Sequence, residues 1–262
     1  MKILKGFGYL TLALVLLVAS YLFIFSGSFH TPQNAVPRVA FSGVNGPIIV
    51  FGGTRATGLE IVRQLREQGA DVTVAVRSTS NTTVLDALGV KTVVADALNA
   101  DQVNAAMRSA NYVAAISTLG TTRGEQDSRP DFIGNRNVID AAKSAGLQRL
   151  VLITVVGTGD SAATAPLPAR TALKEVIALK GQAEDHLRAS GLSYTIIRPG
   201  GLGDVAATGK AFLADDPQAF SYIARADLAA LAVESITNPA AFNKTLAAYD
   251  PTRKTLWRML AD

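Results

Sequence analysis

From Pro47 onward, short continuous apolar runs alternate with stretches in which apolar residues recur every three or four positions. The runs predict strands, and the periodic stretches predict helices. The predicted strands are Ile48–Phe51, Val72–Val76, Thr92–Val94, Tyr112–Ser117, Leu150–Val155 and Tyr194–Ile197, with a last strand at Thr245–Tyr249. The predicted helices are Leu59–Gln68, Val84–Leu88, Asp101–Ser109, Phe132–Ser144, Ala172–Ser190 and Ala226–Ile236.

Continuously apolar strands separated by helices are typical of a parallel sheet whose two faces are both covered. The pattern therefore predicts an α/β protein with a doubly wound parallel sheet, the Rossmann fold, in a single domain over residues 47–262. In such a sheet, ligands bind at the carboxyl ends of the strands. We expect the functional residues there.

The amino-terminal segment has a different composition. Lys2 and Lys5 precede an uncharged run over residues 7–25, close to the length of about 20 residues that crosses a bilayer as a helix. Residues 1–26 are therefore predicted to form a transmembrane anchor and to place the protein at a membrane with a single pass. A cleaved signal peptide is the alternative. Residues 27–46, rich in Ser, Gly, Pro and Asn, are predicted to be a linker.

Composition excludes several classes of function. The formal charge of +4 comes from scattered basic residues, whereas a nucleic-acid site needs them clustered, so no nucleic-acid partner is expected. The chain has no cysteine, which rules out disulfides and thiolate chemistry. With only His30 and His186, no metal site is predicted.

The strongest chemical signal is the turn "GGTRATG", residues 52–58, after the first predicted strand. Gly52 permits a tight turn, and Gly58 starts a helix whose free N–H groups face a pyrophosphate. The middle glycine of this G-x-x-G-x-x-G pattern is replaced by Arg55. The turn predicts a bound dinucleotide.

The residue after the second strand selects the dinucleotide. An NAD site has an acidic residue there to bind the ribose 2′-hydroxyl, but this chain has Arg77. A guanidinium pairs with a 2′-phosphate, so the predicted cofactor is NADP(H). Arg55 is interpreted as a second cation near that phosphate; the alternative is a solvated arginine in a turn. Because NADP(H) is a cytoplasmic reagent, while the two lysines favour an exported domain, the side of the membrane stays open.

Several further motifs carry a resemblance: "VVADALNADQV", "AAISTLG", "GNRNVIDAAKSAGLQRLVLITVVGTGDS", "LKGQAEDHLRASGLSYTIIRPGGL" and "ARADLAAL". Together with the glycine turn, they resemble the atypical short-chain dehydrogenase/reductases, in the NAD(P)H-binding branch near flavin reductase, biliverdin reductase B and plastid NADP-binding assembly proteins. The likeness runs from about Ile48 to Tyr249.

The resemblance implies a set of cofactor-binding residues. The turn would wrap the pyrophosphate, and Arg77 would bind the 2′-phosphate. Asp96 and Ala97 would border the adenine, and residues 117–119 would lie along the nicotinamide ribose. Thr154 and Pro199 would lie on either side of the nicotinamide ring. The full set is Gly52, Gly53, Thr54, Arg55, Ala56, Thr57, Gly58, Arg77, Asp96, Ala97, Ser117, Thr118, Leu119, Thr154 and Pro199.

The catalytic pair departs from the superfamily. Its main branch uses Tyr-x-x-x-Lys, in which the tyrosine donates a proton. Here Lys180 matches the lysine, but Val176 stands four residues earlier. Lys180 is the catalytic candidate; it would bind the ribose, or it is a solvated helix lysine.

The sequence is compatible with two functions. One is an NADPH-dependent oxidoreductase acting on an unknown small carbonyl, quinone or flavin-like acceptor, with the proton supplied by solvent. The other is a membrane-tethered NADP(H)-binding scaffold or assembly factor without turnover. The nucleotide-binding turn is compatible with both functions.

Overall fold

Residues 9, 11–20, 30–121 and 129–260 are described by a computed structural model. The strands are β1 Ile48–Phe51, β2 Val72–Val76, β3 Lys91–Val94, β4 Ala114–Ser117, β5 Arg149–Ile153, β6 Tyr194–Pro199, β7 Gly201–Gly203, β8 Phe212–Ala214, β9 Tyr222–Ala224 and β10 Lys244–Tyr249. The helices from the first strand onward are α1 Ala56–Glu67, α2 Thr83–Ala87, α3 Ala100–Met107, α4 Ile133–Ser144, α5 Leu167–Ala172, α6 Lys174–Ala189, α7 Arg225–Thr237 and α8 Leu256–Leu260.

Within that part of the chain, eight strands form one sheet in the order β3-β2-β1-β4-β5-β6-β10-β8. Neighbouring strands are parallel except β10 and β8, which pair antiparallel at the edge. Strands β7 and β9 form a separate parallel pair. The predicted Rossmann-like α/β fold in a single domain is thus confirmed, with a mostly parallel sheet rather than a wholly parallel one.

The sheet separates two apolar layers because side chains alternate along each strand. Ile48 and Val50 face the layer that contains α1 and α7, whereas Ile49 and Phe51 face the layer that contains α3, α4 and α6. All four side chains are buried. Burial on both faces explains why the sequence of β1 is a continuous apolar run.

The strand order reverses between β1 and β4. From β1 the chain first builds β2 and β3 on one side, and then returns to place β4, β5 and β6 on the other. The connections therefore diverge at the carboxyl ends of β1 and β4, which leaves a crevice there. This is the edge at which the sequence predicted a dinucleotide.

The segment predicted as a linker packs on the domain from His30 onward. Ala35 forms an antiparallel bridge with Ala214, and the Val36 N–H donates to the Leu213 carbonyl at 2.7 Å. Val36 is buried. The His30 ring lies 2.7 Å from the Asp216 carboxylate. This segment, residues 30–36, therefore extends the β8 edge of the sheet instead of hanging free.

The predicted membrane localisation is wrong. Among the residues that the structure describes, no helix is long and apolar enough to cross a bilayer. Residue 9 and residues 11–20 are helical. The rest of the predicted span, residues 7, 8, 10 and 21–25, lies outside the described residues.

Arg149, at the start of β5, is a buried charge with incomplete pairing. Its Nη2 donates to the Ser235 carbonyl at 2.8 Å, and its guanidinium lies 4.2 Å from the Phe242 ring centroid. The Nε and Nη1 atoms are buried without a hydrogen-bond partner. Burial lowers the pKa of Arg149 to about 9. Such a charge costs stability because water no longer solvates it.

Replacing Arg149 with methionine should therefore leave the free energy of unfolding unchanged or raise it by about 1 kcal/mol, because an apolar side chain of similar length needs no hydrogen bonds. The matched control is Arg198→Met. Arg198 is equally buried, but its Nε and Nη2 donate to Glu184 at 3.0 and 2.7 Å. Its loss should cost about 3 kcal/mol. Urea unfolding at neutral pH measures both, and equal destabilisation by the two variants would contradict this account of Arg149.

Candidate functional site: a cleft at the carboxyl edge of the sheet

A cleft of about 760 Å³ lies along the carboxyl ends of β1 to β5. It brings together residues that are widely separated in the chain. The predicted site residues that line it are Gly52, Thr54, Arg55, Ala56, Thr57, Gly58, Arg77, Asp96, Ala97, Thr118, Leu119, Thr154 and Lys180.

Three predicted site residues do not line the cleft. Gly53 faces inward, where an added Cβ would lie 2.9 Å from Val74. The Ser117 hydroxyl is buried and donates to Asn135 at 2.6 Å. Pro199 is the buried last residue of β6. The structure thus gives Gly53 and Ser117 contacts within the fold.

The glycine turn depends on one close approach. A Cβ on Gly58 would lie 2.0 Å from the Gly52 carbonyl oxygen, which is a backbone atom that has no room to shift. Gly52 itself has φ +84°, and its carbonyl accepts from the Thr118 hydroxyl at 3.1 Å. The missing side chain at Gly58 therefore allows α1 to start directly against the end of β1.

Arg55 stands where the pattern has a glycine, and the backbone explains why it is tolerated. Its φ is −159°, an extended conformation open to any residue. The left-handed conformation falls on the next residue, Ala56, at φ +48°. No side chain caps the N-terminus of α1, and its first turn contains no acidic residue. The N–H groups of that turn could therefore bind an anion, with Arg55 beside them.

The end of the cleft at β2 and β3 carries polar groups. Arg77 is exposed directly after β2, and its N–H donates to the Ser80 hydroxyl at 3.1 Å. Asp96 follows β3, and its carboxylate accepts from the Leu98 N–H at 2.9 Å. Across the described lining, four side chains are cationic, namely Arg55, Arg77, Lys180 and Arg225, and one is anionic, namely Asp96. The cleft is suited to a ligand with several negative charges.

Lys180 projects from α6 into the other end of the cleft and is buried rather than solvated. Its Nζ donates to the Leu119 carbonyl at 2.8 Å and lies 3.7 Å from Asp131 Oδ1. Burial lowers the pKa of the ammonium, and the Asp131 charge opposes this shift. Asp131 is fully buried, and its other oxygen accepts from the Thr121 N–H at 3.0 Å. The alternative of a solvated helix lysine is thus wrong, while Val176 lies outside the cleft lining.

Behind the same end lies a buried ion pair. Glu184, one turn after Lys180 on α6, is fully buried and accepts from Arg198 of β6. The hydroxyls of Thr154 and Thr158 lie 2.7 and 2.8 Å from Glu184 Oε1. Burial alone would raise the pKa of Glu184, but the bonds from Arg198 and the two threonines hold it below its ordinary value.

Part of the cleft lining was not predicted from the sequence. The missed residues lie in strands β1, β2 and β5, directly after β2, β3 and β4, and in the chain beyond residue 129. They are Phe51, Ala75, Val76, Thr79, Ser80, Asn81, Ala95, Leu98, Gly120, Thr121, Pro130, Ile153, Leu202 and Arg225. The cluster of short polar side chains right after Arg77 was a usable signal. No sequence signal marked Leu202 and Arg225, because β7 and α7 reach the cleft only through the tertiary fold.

Comparison with known proteins agrees with this geometry. A family model described as NAD(P)H-binding matches residues 52–239, from the glycine turn to just beyond the end of α7. The chain belongs to this NAD(P)H-binding family. The prediction of a domain that binds a nicotinamide dinucleotide is thereby confirmed, and the resemblance to atypical short-chain dehydrogenase/reductases is supported.

Individual relatives of this NAD(P)H-binding protein include reductases. The solved structure of ChuY, an anaerobilin reductase from Escherichia coli O157:H7, is 33% identical, covers 78% of this chain and 97% of its own, and has a TM-score of 0.71. An uncharacterized chloroplastic protein of Arabidopsis thaliana is 30% identical over 72% of this chain and 71% of its own. NAD(P)H azoreductase from Xenophilus azovorans is 26% identical over 78% and 68%, respectively.

The close approach at the turn makes a sharp prediction. Gly58→Ala should force the Gly52 carbonyl and α1 apart, lower the free energy of unfolding by about 2 kcal/mol or more, and abolish dinucleotide binding. Gly181→Ala is the control, because a Cβ on this α6 residue meets nothing closer than 4.0 Å. It should stabilise the helix by about 0.5–1 kcal/mol. Urea unfolding and fluorescence titration with NADPH test both variants, and a Gly58→Ala protein with normal affinity would refute the argument.

Proposed function

We propose that the protein is an NADPH-dependent reductase. The observation that carries the proposal is Arg77 on the cleft directly after β2, in the place where an NAD site needs a carboxylate. Arg55, at the uncapped start of α1, adds a second guanidinium to the same cleft. Both are suited to a 2′-phosphate, since guanidinium pairs with phosphate through charge-assisted hydrogen bonds.

The residues present fit the whole cofactor. The start of α1, with Gly52 and Gly58, would hold the pyrophosphate. Arg77 and Arg55 would bind the 2′-phosphate. At the far end, Lys180 is held by the Leu119 carbonyl with its ammonium on the cleft, and would donate to the ribose hydroxyls. When bound, NADPH supplies the hydride.

The chain orients the cofactor and the acceptor but has no proton donor at residue 176. Val176 has no proton to give, so the proton that follows the hydride would come from water or from the acceptor itself. A small planar acceptor would bind over the nicotinamide ring. Orientation against the cofactor then provides most of the rate enhancement.

The acceptor that we propose is a small carbonyl, quinone or flavin-like compound. Two relatives are named as reductases, the NAD(P)H azoreductase and the anaerobilin reductase. Their names support a reduction by this chain as well. Val176 favours one alternative: a protein that binds NADP(H) and responds to it without turnover. Oxidation of NADPH by the purified protein with a quinone such as menadione discriminates between the two.

The choice of cofactor is tested at Arg77. Arg77→Ala should weaken NADPH binding about ten- to a hundredfold, because a charge-assisted hydrogen bond contributes about 1.5–3 kcal/mol, and should hardly change NADH binding. Arg108→Ala, which removes an exposed arginine outside the cleft lining, is the control and should change neither. Titration calorimetry of all three proteins with both cofactors measures this. Equal affinity of the unmodified protein for NADPH and NADH would contradict the proposal.

The role of Lys180 is tested by separating binding from chemistry. Lys180→Ala should raise the dissociation constant of NADPH, while the single-turnover rate of hydride transfer at saturating cofactor stays within about tenfold, because lost ground-state binding does not change the chemical barrier. Lys174→Ala, at the exposed start of the same helix, is the control. A collapse of the hydride step with unchanged NADPH affinity would show instead that the lysine acts in the chemistry.

A further inference from the structure

The Thr154 hydroxyl has its one proton committed. Its Oγ1 lies 2.7 Å from Glu184 Oε1, which is a good distance for donation to a carboxylate, whereas the Ile197 carbonyl oxygen, at 3.5 Å, is too far to compete for the proton. A hydroxyl has one donor and two acceptor lone pairs. Among the described residues, no hydrogen bond is donated to Thr154 Oγ1, so its lone pairs are available to accept one.

Glu184 is in no position to reverse that bond. Arg198 donates to both of its oxygens, and Arg188 adds a bond to Oε2 at 2.8 Å. A carboxylate that receives this many donors is held ionised and has no proton to return. The Thr154 hydroxyl therefore has a fixed orientation, with its hydrogen toward Glu184 and its lone pairs directed away from that carboxylate.

Thr154 also lines the cleft at a defined place. It follows β5, which lies two strands from β1 in the sheet order. Strands are spaced about 4.8 Å apart, so this position is about 10 Å from the glycine turn, on the side opposite Arg77. In the orientation of the proposed function, this is the nicotinamide and acceptor end.

We propose that Thr154 is a one-way hydrogen-bond acceptor in the cleft, set by the Glu184–Arg198 pair, and that it selects a ligand group that carries an N–H or O–H donor. Glu184 is the positioning residue and does not touch the ligand. The consequence for chemistry is that Thr154 does not donate a hydrogen bond to an acceptor carbonyl. This inference rests on the proposed function for the orientation of the cofactor.

The donor could come from the carboxamide of the nicotinamide ring or from the acceptor, and two pairs of probes distinguish these sources. The first pair is NADP⁺ and its 3-acetylpyridine analogue, which replaces the carboxamide by a methyl ketone without N–H. The second is isatin and N-methylisatin, bound to the protein saturated with NADP⁺. In each pair the measured quantity is the ratio of the two dissociation constants.

Wild type should favour the donor-bearing probe about three- to tenfold in at least one pair, the gain expected of one hydrogen bond. Thr154→Val should bring that ratio to about one, and Thr154→Ser should preserve it. Glu184→Gln should lower it as well, since an amide no longer fixes the direction of the Thr154 bond. The pair of probes that responds identifies the source of the donor.

Thr158→Val is the matched control. Thr158 bonds the same Glu184 oxygen at 2.8 Å but does not line the cleft. Its loss should reduce stability about as much as Thr154→Val and leave the ratio at its wild-type value. The inference is overturned if wild type shows no preference in either pair, or if Thr154→Val and Thr158→Val change the ratios alike. Failure of the wild-type protein to bind NADP⁺ would instead overturn the proposed function.

Discussion

The arrangement of the cleft depends on one contact, the approach of Gly58 to the Gly52 carbonyl. With a Cβ only 2.0 Å from that oxygen, no other residue fits at this point of the backbone. The contact lets α1 begin directly against β1 and points its free N–H groups across the carboxyl ends of the parallel strands. Because the strand order reverses beside β1, the same contact lies at the mouth of the crevice.

The two ends of the cleft achieve charge recognition in different ways. At β2, Arg77 is exposed and can adjust to a phosphate. At β5, Lys180 and the Glu184–Arg198 pair are buried, so their positions are fixed by many hydrogen bonds rather than by the ligand. Exposed charge suits the strong attraction of a phosphate, whereas fixed charge suits the orientation of a reacting ring. This difference supports the assignment of the nucleotide to one end and of the chemistry to the other.

Local pattern predicted the fold where a strand is buried on both faces: β1 and β2 have the predicted bounds. Local pattern did not predict β7, β8 and β9, because each is only three residues long and pairs with a strand that is distant in the chain. In the site, the glycine turn could be predicted from the sequence because its backbone geometry requires glycine. Arg77 could be predicted because its place directly after β2 defines its role. The partnerships of Lys180 with Asp131 and of Glu184 with Thr154 were not, because each joins separate elements that only packing brings together. At the amino terminus, hydropathy predicted a membrane span, whereas no helix among the described residues is long and apolar enough to form one.

The central claim is that the cleft recognises a 2′-phosphate, and fragments of the cofactor test it without any assumption about the reaction. Adenosine 2′,5′-bisphosphate and adenosine 5′-monophosphate differ only in that phosphate, and calorimetry at low and high salt gives the affinity of each. The account predicts that the bisphosphate binds at least about tenfold more tightly and that this preference shrinks as salt screens Arg55 and Arg77. Equal affinities at low salt would contradict it.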